Sequence, residues 1–284
     1  MAKYARKSKK NTVVPLLCLV LTLALVLGLA LLLPQSPEEV PLPTLDVPPP
    51  TTTAPAPTTE PSPLDPNPFS SSDFQYDGKY LTCTAAESYL GIDVSSHQGA
   101  IDWQKVAEAG VEFVMIRAGF RGYSEGVLYE DERALENYRG AKEAGLRVGA
   151  YFFSQATSVE EALEEAQLLL EIIDDWEVDM PLVFDWEYIS STARTADMKR
   201  RLLTDCTIAF NDHIRQAGYE SMIYFNPHLA SNFLHLEELA DYPFWLAMYT
   251  DWMNFEHRFS MWQYTNQGKV PGIETPVDMN LWIP

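Results

Sequence analysis

Three stretches of the chain share one pattern of apolar and polar positions. At Glu108-Ala109-Gly110-Val111, Glu143-Ala144-Gly145-Leu146 and Gln216-Ala217-Gly218-Tyr219, a run with helical spacing stops at a glycine and a β-rich run begins. Glycine suits the left-handed position that ends many helices, so each stretch reads as a helix-to-strand joint. The runs that follow, 113–118, 147–153 and 221–225, are almost continuously apolar. That is the character of strands covered on both faces, and it predicts a parallel sheet. Ser158 and Glu161 form a capping-box pattern, after which Val159, Ala162, Leu163, Ala166, Leu170 and Ile173 recur at helical spacing and lead to a strand ending near Glu187. With 90–94 at the front, five strand-helix units are expected through about Phe225. The runs 244–249, 259–264 and 277–282 then read as strands separated by loops too short for full helices. Eight strands is the number that closes a barrel whose interior is filled by side chains.

A different pattern precedes this region. Lys3, Arg6, Lys7, Lys9 and Lys10 are followed by an uncharged apolar run over 13–33, long enough as a helix to cross a hydrocarbon core of about 30 Å. Basic residues before the span and none close behind it predict a cytoplasmic N-terminus, with everything after Leu33 outside the cell. The alternative is secretion after signal cleavage, although Leu31-Leu32-Leu33-Pro34-Gln35 is a poor cleavage site. The Pro/Thr tract that follows lacks the apolar density to fold and reads as a disordered, partly extended spacer. The expected organisation is a basic cytoplasmic tail at 1–12, a transmembrane signal anchor at 13–33, a linker at 34–79 and one folded domain at 80–284.

Charge narrows the partners. The formal net charge is −20, and setting aside the five basic residues of the tail leaves −25 on the exported part. Such a surplus disfavours nucleic acid and attraction to anionic wall polymers, and it serves solubility. Of the cysteines, Cys18 falls in the span and Cys206 lies on the apolar face of a predicted helix, where a buried thiol is the default. A Cys83–Cys206 disulfide is the alternative outside the cytoplasm. The histidines show no metal-ligand spacing, no cofactor is indicated, and a monomer is expected.

In barrels of this kind reactive groups sit at the C-terminal ends of the strands. Here those positions carry Asp93, Arg117, Tyr151, Asp185 with Glu187, Tyr224, Tyr249, Gln263 and Asp278. The run Val183-Phe184-Asp185-Trp186-Glu187 is the most informative. Alternation along a strand places Asp185 and Glu187 on one face, with Phe184 and Trp186 on the other. Two carboxylates aimed at one spot cannot both ionise freely, and a raised pKa suits a general acid for glycosidic bond cleavage.

The segments Gly91-Ile92-Asp93-Val94-Ser95, Ile116-Arg117-Ala118-Gly119, Gly149-Ala150-Tyr151, Phe184-Asp185-Trp186-Glu187, Trp245-Leu246-Ala247, Trp262-Gln263-Tyr264 and Val277-Asp278-Met279-Asn280 resemble glycoside hydrolase family 25, the Chalaropsis-type lysozymes. The resemblance runs from about Leu90 to Trp282. It implies an α/β, TIM-like barrel of five βα units closed by three strands, and hydrolysis of the β-1,4 bond between N-acetylmuramic acid and N-acetylglucosamine in peptidoglycan glycan strands. It also implies an acidic centre of Asp93, Asp185, Glu187 and Asp278. Many relatives carry a His where this chain has Phe152, a side chain that alternation turns toward the helix layer. Glu187 is the expected general acid. Asp185 would either orient the substrate N-acetyl group or stabilise positive charge on the ring, and the choice between retaining, inverting and substrate-assisted routes stays open. Tyr151, Arg117, Tyr224, Tyr249, Trp262, Gln263, Tyr264 and His97 are candidate sugar contacts. The rival readings are a chitinase-like hydrolase, which would carry an Asp at the position of Val183, and a non-catalytic wall-binding barrel.

Overall fold

In the computed structural model, which describes residues 64–250 and 252–284, the three glycine joints are present with φ of 94° at Gly110, 81° at Gly145 and 93° at Gly218. The amides of Leu146 and Tyr219 reach back to the carbonyls of Ala141 and Ile214, closing the helix ends before the strands begin. The strands they feed belong to a closed eight-stranded barrel. In chain order the elements are β1 (Phe74–Asp77), β2 (Tyr80–Cys83), β3 (Tyr89–Val94), α1 (Trp103–Glu108), β4 (Phe113–Arg121), β5 (Leu128–Glu130), α2 (Ala134–Glu143), β6 (Arg147–Ser154), α3 (Val159–Ile172), β7 (Leu182–Trp186), α4 (Arg200–Gln216), β8 (Ser221–Phe225), α5 (Pro227–Phe233), β9 (Phe244–Ala247), β10 (Met261–Gly268) and β11 (Val277–Trp282). Around the barrel the order is β3-β11-β10-β9-β8-β7-β6-β4, and β4 pairs back onto β3. This is the expected α/β architecture of five βα units and three closing strands.

Two features depart from expectation. β11 runs antiparallel to both β10 and β3, so Asp278 reaches the top of the barrel from the start of its strand rather than its end. The stretch 269–276 is too short for the crossover of about a dozen residues that a parallel return requires. The second departure is the domain boundary. The linker was expected to reach residue 79, but the folded part already includes Leu64. The Asn67 amide donates to the Glu256 carbonyl at 2.9 Å, and the Arg258 amide to the Asp65 carbonyl at 2.9 Å. Phe74 packs edge-on to Trp262 with ring centroids 4.9 Å apart, and Tyr76 to Tyr264 at 6.4 Å. Among the described residues no helix follows β9 or β10, and this N-terminal segment with its β1–β2 hairpin covers the outer face that a helix covers elsewhere. The expected membrane span at 13–33, and the Pro/Thr tract as far as residue 63, lie outside the described residues. Among the described residues no helix is long and apolar enough to cross a membrane.

The barrel interior is filled by Phe113, Met115, Val183, Met222, Trp245 and Met261. A Cβ on Gly91 would stand 2.2 Å from the Phe113 ring, so only glycine admits that ring beneath Asp93. The lower pole is plugged by Tyr89 and Trp282, with the Arg147 guanidinium 4.1 Å from the Tyr89 ring centroid. The outer layer of the core takes the opposite side chains of each strand, among them Phe152 and Phe184, packed against helix residues such as Cys206 and Phe210 of α4. Cys83 and Cys206 are both buried free thiols, and burial pushes the Cys206 thiol up to about 12.

Beside the upper rim, Arg121 is buried and donates to Glu165 Oε1 at 2.7 Å, to Glu164 at 3.0 Å and to the carbonyls of Gly126 and Glu161. It ties the end of β4 to α3. Burial pushes Glu165 up to about 7 despite its hydrogen bonds to Ser154 and Arg121. Removing the cation would strand a buried carboxyl, a change that typically costs about 3–5 kcal/mol. Arg121→Met is therefore expected to lower the melting temperature by about 6–20 °C, at about 2–4 °C per kcal/mol for a domain of this size. Thermal unfolding followed by circular dichroism checks this, and an unchanged melting temperature would refute it.

Candidate active site

Inward-facing positions at the upper end of the strands build a polar layer above the apolar filling. β3 supplies Asp93, β4 Arg117, β6 Tyr151, β7 Asp185, β8 Tyr224, β10 Gln263 and β11 Asp278. Glu187 follows the last residue of β7 and stays on the face of Asp185. These groups line a cleft of about 970 Å³, at the upper end of the range for small-molecule sites, roughly 300–1,000 Å³. Asp93 and Asp278 are directly opposed across the β3–β11 ladder. Like charges in that relation repel, so the pairing disfavours joint ionisation.

A hydrogen-bond network organises one wall. Gln263 Nε2 and Asn280 Nδ2 both donate to Asp93 Oδ2 at 2.8 Å. Tyr224 and Tyr249 donate their hydroxyls to Gln263 Oε1 at 2.9 and 2.7 Å, and Trp245 Nε1 donates to Asn280 Oδ1 at 2.8 Å. Each amide is thereby held with its NH₂ toward Asp93. On the other wall, Asp131 is buried and grips Arg117 through Nε at 2.8 Å and Nη2 at 2.7 Å, while Ser96 Oγ accepts a further bond from Nη2. A register shift between Arg117 and Gly119 in the β4–β6 ladder marks a bulge beside this anchor.

The four carboxyls differ in surroundings. Burial raises Asp93 well above the usual range, and Asp278 adds to it, against the two amide donors. Burial likewise raises Asp185, reinforced by Glu187 and Asp93 and opposed by Arg117. Asp185 Oδ1 is buried without a hydrogen-bond partner. Glu187 is raised by burial first and by Asp278 second. Asp278, more open, is pushed up to about 6 by burial. The arrangement favours the protonated form of the carboxyls at the cleft floor and leaves Asp185 Oδ1 without a donor. The negative charge of Asp278 helps retain the Glu187 proton. Asp278→Asn is thus expected to move the titration of the Glu187 carboxyl, followed by carbon-13 NMR, to lower pH. A titration that stays in place would show that Asp278 does not act on Glu187.

Most expected contacts are brought together here. Arg117, Tyr151, Tyr224, Tyr249, Gln263 and His97 line the cleft, His97 from the exposed turn Ser96–Gln98. Trp262 and Tyr264 do not. On β10 the alternation that sends Gln263 inward sends both neighbours outward, and Trp262 is only 1% exposed, with its Nε1 bonded to the Met248 carbonyl. Their packing against the N-terminal segment replaces the sugar-stacking role expected of them. Asn280 and Trp245 fall in segments that carry the family resemblance, but neither they nor Asp131 is among the site residues expected from the sequence. Asn280 was within reach of it, since it lies two residues beyond Asp278 and so shares its face. Among the described residues no group of three or more His, Cys, Asp or Glu side chains is placed to hold a metal ion.

The family model described as glycosyl hydrolases family 25 matches residues 92–273. The chain is 30% identical over 201 residues to the uncharacterized protein YegX of Escherichia coli K12, covering 70% of this chain and 71% of that protein. It is 28% identical over 191 residues to an autolytic lysozyme of Clostridium acetobutylicum, covering 67% and 54%. Among solved structures it resembles the modular autolysin LytC of Streptococcus pneumoniae in complex with a synthetic peptidoglycan ligand, with a TM-score of 0.63 and 27% identity over 74% of this chain and 52% of that one. The chain thus spans about half the length of the last two.

Proposed function

The chain belongs to glycosyl hydrolases family 25, and from that premise we propose that it hydrolyses the β-1,4 bond between N-acetylmuramic acid and N-acetylglucosamine in peptidoglycan. The observation that carries this reading is the pair at the end of β7: Glu187 raised by burial and charge beside Asp185, whose buried Oδ1 lacks a donor. A protonated Glu187 gives its proton to the leaving glycosidic oxygen as the bond to the anomeric carbon breaks. The substrate N-acetyl group supplies the N–H that Asp185 Oδ1 is missing, which orients its carbonyl oxygen to bond the anomeric carbon as the glycosidic oxygen leaves. Water then displaces that oxygen, placing its hydroxyl on the anomeric carbon and returning a proton to Glu187. Negative charge on the Asp93–Asp278 side favours the positive charge that develops on the ring. Tyr151, Tyr224, Tyr249, Arg117, Gln263 and His97 frame the sugars. Val183 fills the barrel interior where a chitinase-like site would place a further Asp. The test is digestion of purified sacculi by the full chain, followed by borohydride reduction and mass spectrometry of the products. Reduced muramic acid ends are expected, and reduced glucosamine ends would overturn the assigned bond.

The same reading places the enzyme outside the cell on a membrane anchor at 13–33, as a monomer acting in turnover or remodelling of the producer's own wall. The basic tail before an uncharged apolar run supports it. Membrane fractions are expected to hold the intact chain, including its N-terminal peptide. A mature N-terminus near Gln35 would show release by signal cleavage instead.

A further inference from the structure

Glu187 lies one residue beyond the last paired position of β7, where Ser154 of β6 faces Trp186. Sheet pairing therefore holds Asp185 directly but stops short of Glu187. What meets the Glu187 backbone is the side chain of Gln155, the residue that follows β6. Gln155 is fully buried, and its Nε2 donates to the Glu187 carbonyl at 2.9 Å and to the Ser154 carbonyl at 2.8 Å. Its Oε1 accepts the hydroxyl of Thr195, itself 1% exposed, at 2.8 Å. Only a carboxamide offers two donors and an acceptor on one planar group, and all three are engaged here. A flipped amide would set its oxygen against two carbonyls, so the orientation is locked.

The lock extends outward. The Gln155 carbonyl accepts Arg194 Nη1 at 2.7 Å, and the same guanidinium bonds both oxygens of Glu161 at 2.6 and 2.8 Å. Burial works against a charged Glu161, but Arg194, Thr157 and Arg121 hold its carboxyl down to about 2. The Arg194 amide then donates to the Tyr123 carbonyl at 2.9 Å, on the cleft rim after β4. One buried amide therefore joins the backbone of Glu187 to Thr195, further along the loop that follows β7, and through Arg194 to the rim beyond β4.

We infer that Gln155 is a positioning residue that fixes where Glu187 presents its proton, with Thr195 setting the orientation of the amide. This rests on the proposed role of Glu187 as general acid. Misplacement of a catalytic group by about 1 Å costs on the order of 10²-fold, whereas Tyr151 and Asp185, which meet the substrate from the same two strands, are held by sheet pairing with their neighbours rather than by Gln155. Loss of the Gln155 donors should therefore fall on kcat and spare KM.

The test is steady-state kinetics of the full 284-residue chain on soluble glycan fragments, for Gln155→Met, Gln155→Glu and Thr195→Val. Gln155→Met should lower kcat by about 10–100-fold with KM within about twofold. Gln155→Glu keeps the shape and the acceptor for Thr195. Protonated it donates once, and ionised it cannot donate at all, so its kcat relative to wild type should fall as pH rises while KM holds. Thr195→Val should show a smaller loss in the same direction. A purely structural Gln155 would lower thermal stability without that pH-dependent fall in kcat, and kcat for Gln155→Glu within twofold of wild type across the profile would overturn the inference. If Gln155→Met does not fold, Gln155→Glu and Thr195→Val decide. Glu187→Gln is measured in parallel. Full activity there would refute the general-acid role itself, whereas an inactive Glu187→Gln beside an unimpaired Gln155→Glu would refute only the positioning role.

Discussion

Replacing Glu187 by Gln is expected to slow hydrolysis of peptidoglycan by about 10²–10⁴-fold, the usual contribution of a positioned general acid. The amide preserves shape and removes the only change that matters, the ability to deliver a proton to a departing sugar oxygen. Stability should not suffer. Burial and Asp278 raise the Glu187 pKa, so the folded state favours the neutral form that Gln imitates. The decisive measurement pairs initial rates of sacculus clearing with thermal unfolding on the same preparations. Wild-type clearing by Glu187→Gln would remove this residue from the chemistry. A slow variant that has also lost its cooperative transition would point to the fold rather than to the proton.

Asp185→Asn should show a sharper contrast, with activity lost and stability gained. Its carboxyl is held well above the usual range, first by burial and then by Glu187 and Asp93. The sign follows directly. A carboxyl with a raised folded-state pKa favours the fold below its unfolded value of 3.8, and that contribution is lost as pH rises through the raised value. At pH 7.5 the wild type therefore carries a penalty that Asn does not, and the variant should melt about 2–4 °C higher, equivalent to ~1 kcal/mol. Near pH 4 the gap should close, because Asp185 is then neutral as well. Activity should fall by about 10²–10³-fold, as when one preorganised electrostatic partner of a transition state is removed. Melting temperatures that stay equal at pH 7.5 would contradict the raised pKa, and retained activity would contradict the role given to Oδ1.

The parts of this structure that the sequence disclosed are those governed by local rules. Glycine at helix ends and continuous apolar runs announce strands at 113–118, 147–153 and 221–225, because both signals depend on a few neighbouring residues, and the structure carries the first two on to Arg121 and Ser154. Alternation placed Asp185 with Glu187, and the same rule applied to β10 would have set Trp262 and Tyr264 apart from Gln263. The N-terminal segment was hidden for another reason. Phe69 and Phe74 stand in a polar, Pro-containing context, and their partial burial depends on a partner face about 190 positions away in sequence. The turn Asp77-Gly78-Lys79-Tyr80 did carry a hairpin signal, which the low apolar density around it masked. Asp131 and Gln155 belong to no periodic run, and their work shows only where loops meet. The direction of β11 was set by connection length rather than by side-chain pattern.

The tie of Asp65 to Arg258 places the start of the folded part beside Phe244 and Ser260, where β9 and β10 begin. Trp282, the last residue of β11, plugs that same pole. Both ends of the folded part thus depart from the floor of the barrel, and the cleft opens at its ceiling. A protein coupled to a bead through either end should clear insoluble sacculi almost as fast as the free enzyme, whereas coupling through the rim at Tyr123 should not.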